Sequence, residues 1–244
     1  MNQNKNILKN KKYLEVSYNS KRAYKGTYPN KLAQKIDKDF FKAPGKILDV
    51  GCGNGDFLEA FSNLGYEVSG VDISPDLEER LGNKYSVYNV DIENDACPFE
   101  NQFDYVFSKS VIEHTRNPDA FLAFINKALK PGGTCVIMAP SWEHTYWGPF
   151  YIDHTHVTPF TLPSLMQAME LSDFENINGE YFYQLPFVWK SKVLKIIPYI
   201  ISKLPIPYSP FYQVPWSGNT FANKMIRFSK EVMLLTVGVK KKNG

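Results

Sequence analysis

An α/β architecture with a doubly wound, mostly parallel sheet is expected from three features of the chain. Short apolar runs alternate with stretches of helical periodicity between residues 46 and 139. Glycines crowd the end of the first run, in Leu48-Asp49-Val50-Gly51-Cys52-Gly53-Asn54-Gly55. Aspartates, Asp72 and Asp91, close the second and third runs. Strands alternating with helices place helices on both faces of a parallel sheet, so each strand is buried on both sides and reads as continuously apolar.

The elements follow in order. Residues 46–50 are a short apolar run ending at glycine, hence a buried strand. Phe57, Leu58, Phe61 and Leu64 recur at helical spacing, predicting a helix over 56–64. A second strand is expected at 67–71, then a helix over 75–81 with Ser74 as N-cap and Pro75 in its first turn. Residues 85–90 and 103–107 supply the third and fourth strands. Asn117-Pro118 opens a helix with Ala120, Phe121, Phe124, Ile125, Ala128 and Leu129 on one side, and Lys130-Pro131-Gly132-Gly133 ends it. The fifth strand is 134–139. Residues 161–171 read as a helix, and 174–183 and 231–240 as two longer strands suited to an antiparallel edge hairpin.

Composition narrows the function. The 244 residues are 43% hydrophobic and 22% charged, values of a globular domain and not of a disordered or fibrous chain. A net charge of +3 is too small to imply nucleic acid by itself, and no nucleic-acid partner is expected. Three cysteines, Cys52, Cys97 and Cys135, show neither a disulfide framework nor metal spacing, which points to a reducing, cytoplasmic setting. No secretory signal and no membrane-spanning run is seen. The charge is uneven: the window 181–230 holds seven Lys/Arg and no Asp or Glu, leaving 21 basic against 25 acidic residues elsewhere. The expected organisation is an N-terminal tail and helical cap over 1–45, an α/β core over 46–184 and 230–241, and a basic, aromatic insertion over 185–229.

Alternating glycines let the backbone turn tightly and approach a ligand closely. The turn does not follow G-x-G-x-x-G, because Asp56 stands one position beyond Gly55. A carboxylate there repels a pyrophosphate and tolerates a cationic or zwitterionic ligand. Asp72, 17 residues after Gly55, could accept both hydroxyls of a ribose. Asp91 with Ile92 could meet an adenine edge and face. Each aspartate alone is equally well a cap or turn residue, and coincidence becomes hard to sustain only for the set in order.

The runs KILDVGCGNGDFLEAF, VSGVDISPDL, VDIENDACPF and FDYVFSKSVIEHTRNPDAFLAFINKALKPGGTCVIMAP resemble class I S-adenosylmethionine-dependent methyltransferases of the small-molecule and sugar-modifying branch. The resemblance implies a seven-stranded Rossmann-like methyltransferase sheet of order 3-2-1-4-5-7-6, its seventh strand antiparallel, with the insertion between the last two strands. It implies that Gly51 and Gly53 pass under the methionine part of S-adenosylmethionine and that Asp72, followed by Ile73, holds the ribose. Asp91 and Ile92 flank the adenine, Ser108 to Ser110 lie beneath the sulfonium, and Asp49 bonds to the loop and the amino group. The cofactor's carboxylate needs a donor, and Arg22, within Tyr18 to Tyr28, offers a planar fork.

Methyl transfer to oxygen or charged nitrogen also needs a base. The four histidines, His114, His144, His154 and His156, all follow strand four or five, where this fold places its acceptor pocket. His114, His154 and His156 are the catalytic candidates. His154 and His156 alternate along an extended loop and should face opposite ways. An acid-rich ligand set is not evident, so no metal is expected. The expected acceptor is a small molecule or a surface-polysaccharide precursor, with a non-catalytic cofactor-binding partner or a lipid-linked acceptor as alternatives. The insertion reads as an amphipathic helix over 188–201 interrupted at Pro198. A lid, a peripheral membrane contact and a dimer contact all fit it, and its lysines would favour an anionic acceptor. Monomer and homodimer both remain compatible.

Overall fold

The computed structural model describes residues 27–218 and 220–242. Seven strands, β1 (Lys46–Val50), β2 (Glu67–Asp72), β3 (Ser86–Asn89), β4 (Phe103–Lys109), β5 (Leu129–Pro140), β6 (Phe174–Phe182) and β7 (Met233–Lys240), form one sheet. Their order is β3-β2-β1-β4-β5-β7-β6. β1 to β5 pair in parallel, and β7 runs antiparallel to both β5 and β6. This is the expected topology.

Alternation along the strands splits the core in two. Cys135 and Ile137 point to one face, with Phe121, Phe124 and Ile125 of α4 (Pro118–Ala128) and Leu165 and Met169 of α6 (Leu162–Leu171). Val136 and Met138 point to the other, with Leu32, Ala33 and Ile36 of α1 (Thr27–Phe40) and Ala60 and Phe61 of α2 (Asp56–Ser62). The remaining helices among the described residues are α3 (Leu77–Leu81), α5 (Trp142–Thr145), α7 (Ile196–Lys203) and α8 (Phe221–Lys230). Each large apolar side chain buried this way contributes about 1.5–3 kcal/mol.

Local signals account for several ends. Asn117 Oδ1 accepts from Ala120 N at 3.1 Å, capping α4 as expected. Thr161 and Ser164 form a reciprocal capping box at α6. Other ends differ. α3 begins at Leu77, because Ser74 gives its hydroxyl to Asp76 and makes no N-cap bond. Lys130 to Gly133 do end α4, but they lie within β5 as a bulge: Leu129 pairs with Phe103 and Thr134 with Tyr105, so Asp104 alone faces four residues. The insertion is not one helix broken at Pro198. Ser191 is extended at φ −158° and separates two short 3-10 turns, Pro186–Lys190 and Lys192–Lys195, from which α7 continues. Pro198 sits in the first turn of α7, where its missing N–H costs no hydrogen bond.

Candidate functional site

The strand order reverses between β1 and β4, and ligands in open α/β sheets bind at the carboxyl ends of strands at such a point. There β1 turns at Gly51 (φ +78°), whose amide donates to Val71 O at 2.8 Å. A Cβ on Gly51 would lie 2.2 Å from Val111 Cγ2, so the turn after β4 packs directly on this glycine. Gly53 is different. Its φ is +52°, yet a Cβ there would meet nothing within 4 Å. The space above it is open.

The loop is tied down by polar side chains. Asp72, at the end of β2, accepts from Gly53 N and Ser74 N, each at 2.9 Å. Arg80 on α3 donates to Gly53 O at 3.1 Å and to Asn54 Oδ1 at 3.3 Å, and pairs with Asp76 at 3.1 Å. Burial raises the Asp72 pKa, while these amides and the Arg80 guanidinium oppose the rise. Sequence reasoning missed Arg80. Its only signal is its place one helical turn after Asp76.

Asp49 lies at the end of β1, 4% exposed, and its Oδ2 has no hydrogen-bond partner among the described residues. Burial first, then the negative charges of Asp72 and Asp56, push its pKa up to about 8. A buried carboxylate with an orphaned oxygen beside an open glycine turn suits a cationic group, which would restore its charge.

Other expected cofactor residues are placed less directly. Ile73 is 47% exposed beside Asp72. Asp91 accepts from Glu93 N at 3.1 Å and Asn94 Nδ2 at 2.9 Å, so its carboxylate holds its own turn. Ile92 is partly buried against the core. Ser108 is buried and gives its hydroxyl to Val50 O at 2.8 Å, bracing β4 against β1. Arg22 lies outside the described residues.

The second cluster follows β4. Ile112–His114 form a single 3-10 turn, and the loop carrying residues 153–158 folds onto it. Val157 N and Thr158 N both donate to Glu113 O, at 2.8 and 3.1 Å. This brings the His114 and His156 rings to 4.7 Å between centroids. His114 Nδ1 lies 2.8 Å from Thr155 Oγ1, and that hydroxyl donates to Asp153 Oδ1 at 2.6 Å. His156 Nδ1 lies 2.6 Å from Phe150 O, a carbonyl that can only accept. Burial lowers the pKa of both rings, His114 to about 4, so both are neutral near pH 7. His154 is exposed and joins neither ring. His144 stands apart, with Nδ1 2.9 Å from Ser141 Oγ and its ring against Tyr181.

Glu113 is the group that sequence reasoning passed over. It is 1% exposed, and neither carboxylate oxygen has a hydrogen-bond partner among the described residues. Burial is the main cause of a pKa of about 8, with Asp153 adding and the partly buried Lys109 opposing. Its Oε1 lies 4.0 Å from His156 Nε2.

A methyltransferase-domain family model matches residues 23–178. The ubiquinone biosynthesis O-methyltransferase of Xanthomonas campestris pv. campestris is 37% identical over 96 residues, which span 36% of this chain and 40% of that protein. Among solved structures, a methyltransferase in complex with the Haloferax volcanii Trm112 methyltransferase activator superposes with a TM-score of 0.64 at 18% identity, covering 88% of this chain and 90% of that one. The Burkholderia thailandensis 1,6-didemethyltoxoflavin-N1-methyltransferase gives 0.60 at 14% identity over 99% and 90%. At these identities the structural likenesses show the fold.

Proposed function

The chain belongs to the methyltransferase-domain family, and from that premise we propose that it transfers the methyl group of S-adenosylmethionine to a hydroxyl oxygen of a small molecule. The observation that carries the cofactor is Asp49, whose orphaned buried oxygen lies where a glycine turn opens. The cofactor is positive at its sulfonium and its ammonium, and a nearby cation stabilises a carboxylate that burial otherwise keeps protonated. Asp72 fits the ribose, since a carboxylate has about four acceptor positions and two backbone amides occupy two of them. Asp91 and Ile92 remain the proposed adenine contacts. Bound there, S-adenosylmethionine supplies an activated methyl group on a good leaving group.

The residues of the chain then align, desolvate and deprotonate. The open space above Gly53 admits the methionine part, and the 111–114 turn packed on Gly51 fixes the distance to the acceptor side. Displacement at a methyl group is governed by alignment and exclusion of water. A hydroxyl acceptor must lose a proton, and the neutral, half-buried rings of His114 and His156 are the acceptors beside the crevice, with His154 exposed at its rim. The oxygen is favoured over nitrogen because the similar curated proteins are named O-methyltransferases. A carbohydrate precursor stays within the class of hydroxylated acceptors. The 185–229 segment is proposed as the lid, since Phe211 packs on Trp147 just after α5.

Release of S-adenosylhomocysteine on incubation with a panel of phenols, catechols and sugars tests the reading. The expected result is product formation with at least one hydroxylated acceptor and a methyl ether in its mass spectrum. Cofactor binding with no turnover on any of them would favour a non-catalytic, cofactor-binding partner.

A further inference from the structure

We infer that Glu113, His114 and His156 form a binding site for one divalent transition-metal ion on the acceptor side of the crevice. This rests on the proposed function only for where an acceptor would sit, and it gives both imidazoles to the ion, so that the lowered proton affinity of an ion-bound hydroxyl takes the place of direct proton acceptance by His114 and His156.

Three observations converge. One ligating atom from each residue lies within 4.8 Å of the other two. The carboxylate is the anomaly: Glu113 is 1% exposed, both oxygens lack hydrogen-bond partners among the described residues, and it points toward His156 at 4.0 Å. A buried carboxylate without a partner costs several kcal/mol unless a cation meets it. The charge of the partly buried Lys109 acts on Glu113, but no ion pair joins the two among the described residues.

The ring tautomers supply the third observation. Phe150 O can only accept, so His156 carries its proton on Nδ1 and presents a bare Nε2. The Thr155 hydroxyl spends its proton on Asp153, so its oxygen accepts from His114 Nδ1, and His114 too is held in the Nδ1–H tautomer. Metal-bound histidines are oriented this way, with the far nitrogen donating to a carbonyl or to a carboxylate-backed acceptor. Two imidazoles and one carboxylate suit zinc, iron or cobalt better than magnesium or calcium. Closing the three separations, 4.0 Å from Glu113 to His156 and within 4.8 Å for the others, to the ~3.4 Å edge of a tetrahedron with ~2.1 Å bonds needs side-chain shifts of roughly an ångström. Three protein ligands leave at least one position open, and an acceptor oxygen placed there would have its proton affinity lowered by the ion. The chain alone hid this site, because its third ligand is not part of any acid cluster. It becomes a ligand only when the 153–158 loop folds over the 112–114 turn.

The experiment uses the full chain, stripped with a chelator and titrated calorimetrically with Zn²⁺ alone. The expected result is saturable uptake of one equivalent. Glu113→Gln abolishes it, and Thr155→Val, which unlocks the His114 tautomer, weakens it by about 10–100-fold. S-Adenosylhomocysteine affinity measured on the same samples reports whether each variant is folded. A second measurement needs no variant at the site. In chain labelled with ¹⁵N-histidine, Zn²⁺ should shift the Nε2 signals of His114 and His156 and leave those of His144 and His154, assigned through His144→Gln and His154→Gln. No saturable uptake by the parent, uptake unchanged by Glu113→Gln, or shifts confined to His154 would overturn the site and leave Glu113 as a protonated acid. Failure to bind S-adenosylhomocysteine would instead count against the proposed function and leave the zinc result readable.

Discussion

Replacing Asp49 with asparagine should make the ligand-free protein less sensitive to alkaline pH while crippling its cofactor site. The Asp49 carboxyl rises from an ordinary 3.8 to about 8 in the folded chain. Below pH 4 it is protonated whether folded or unfolded. Between those two values the unfolded chain has lost the proton and the folded chain keeps it, so the unfolded state binds fewer protons and stability falls as pH rises. Above pH 8 the loss is complete. At about 1.4 kcal/mol per unit this interval corresponds to roughly 6 kcal/mol. Urea unfolding at pH 5 and pH 9, without ligand, measures it. The advantage of Asp49→Asn over the parent should be about 4 kcal/mol larger at pH 9 than at pH 5, where less than a third of the loss has yet occurred. Binding runs the other way. An ammonium beside it restores the Asp49 charge, and S-adenosylhomocysteine keeps that group although it lacks the sulfonium, so its calorimetry at pH 6 should show proton release for the parent and almost none for Asp49→Asn. Affinity should drop by about 1.5–3 kcal/mol, the scale of a lost charge-assisted hydrogen bond. A parent–variant stability difference that is the same at both pH values would refute the argument, because it would mean Asp49 is already ionised and paired.

Two further outcomes separate fold from function. Gly51→Ala should be strongly destabilising, since its Cβ would lie 2.2 Å from Val111 at φ +78°, whereas Gly53→Ala, with nothing within 4 Å, should fold with a loss of about 1 kcal/mol and bind cofactor poorly; comparable melting temperatures would be the contrary result. If the insertion steers an anionic acceptor, its specificity constant should fall as the screening length drops below about 8–10 Å. Replacing Lys190, Lys192 and Lys203 by glutamine should then flatten that dependence, Lys195 being already paired with Glu180 at 2.7 Å; a rate indifferent to salt would assign the lysines to the solvated outer face.

Local chemistry made much of the fold legible. Asn117 and Thr161 cap α4 and α6 because a short polar side chain before an apolar period has one good use. The glycine turn could be found because Gly51, Gly53 and Gly55 all need positive φ. Where reading failed, the cause was tertiary. The helical periodicity over 188–201 is real, but Ser191 accepts from Val193 N and turns the chain instead. The proline-glycine stop after α4 does end the helix, yet sheet pairing on both sides turns it into a bulge. Glu113 looked like an ordinary polar residue beside a histidine. Its importance comes from burial by a loop some forty residues away, which no periodicity records.

Equilibrium calorimetry of the purified chain with S-adenosylhomocysteine, set beside NAD and repeated with Asp72→Ala, examines the cofactor crevice most directly. One-to-one micromolar binding of S-adenosylhomocysteine, weakened by about 1.5–3 kcal/mol in Asp72→Ala and absent for NAD, is the result expected. NAD bound more tightly than S-adenosylhomocysteine, or an Asp72→Ala chain that binds as well as the parent, would contradict it.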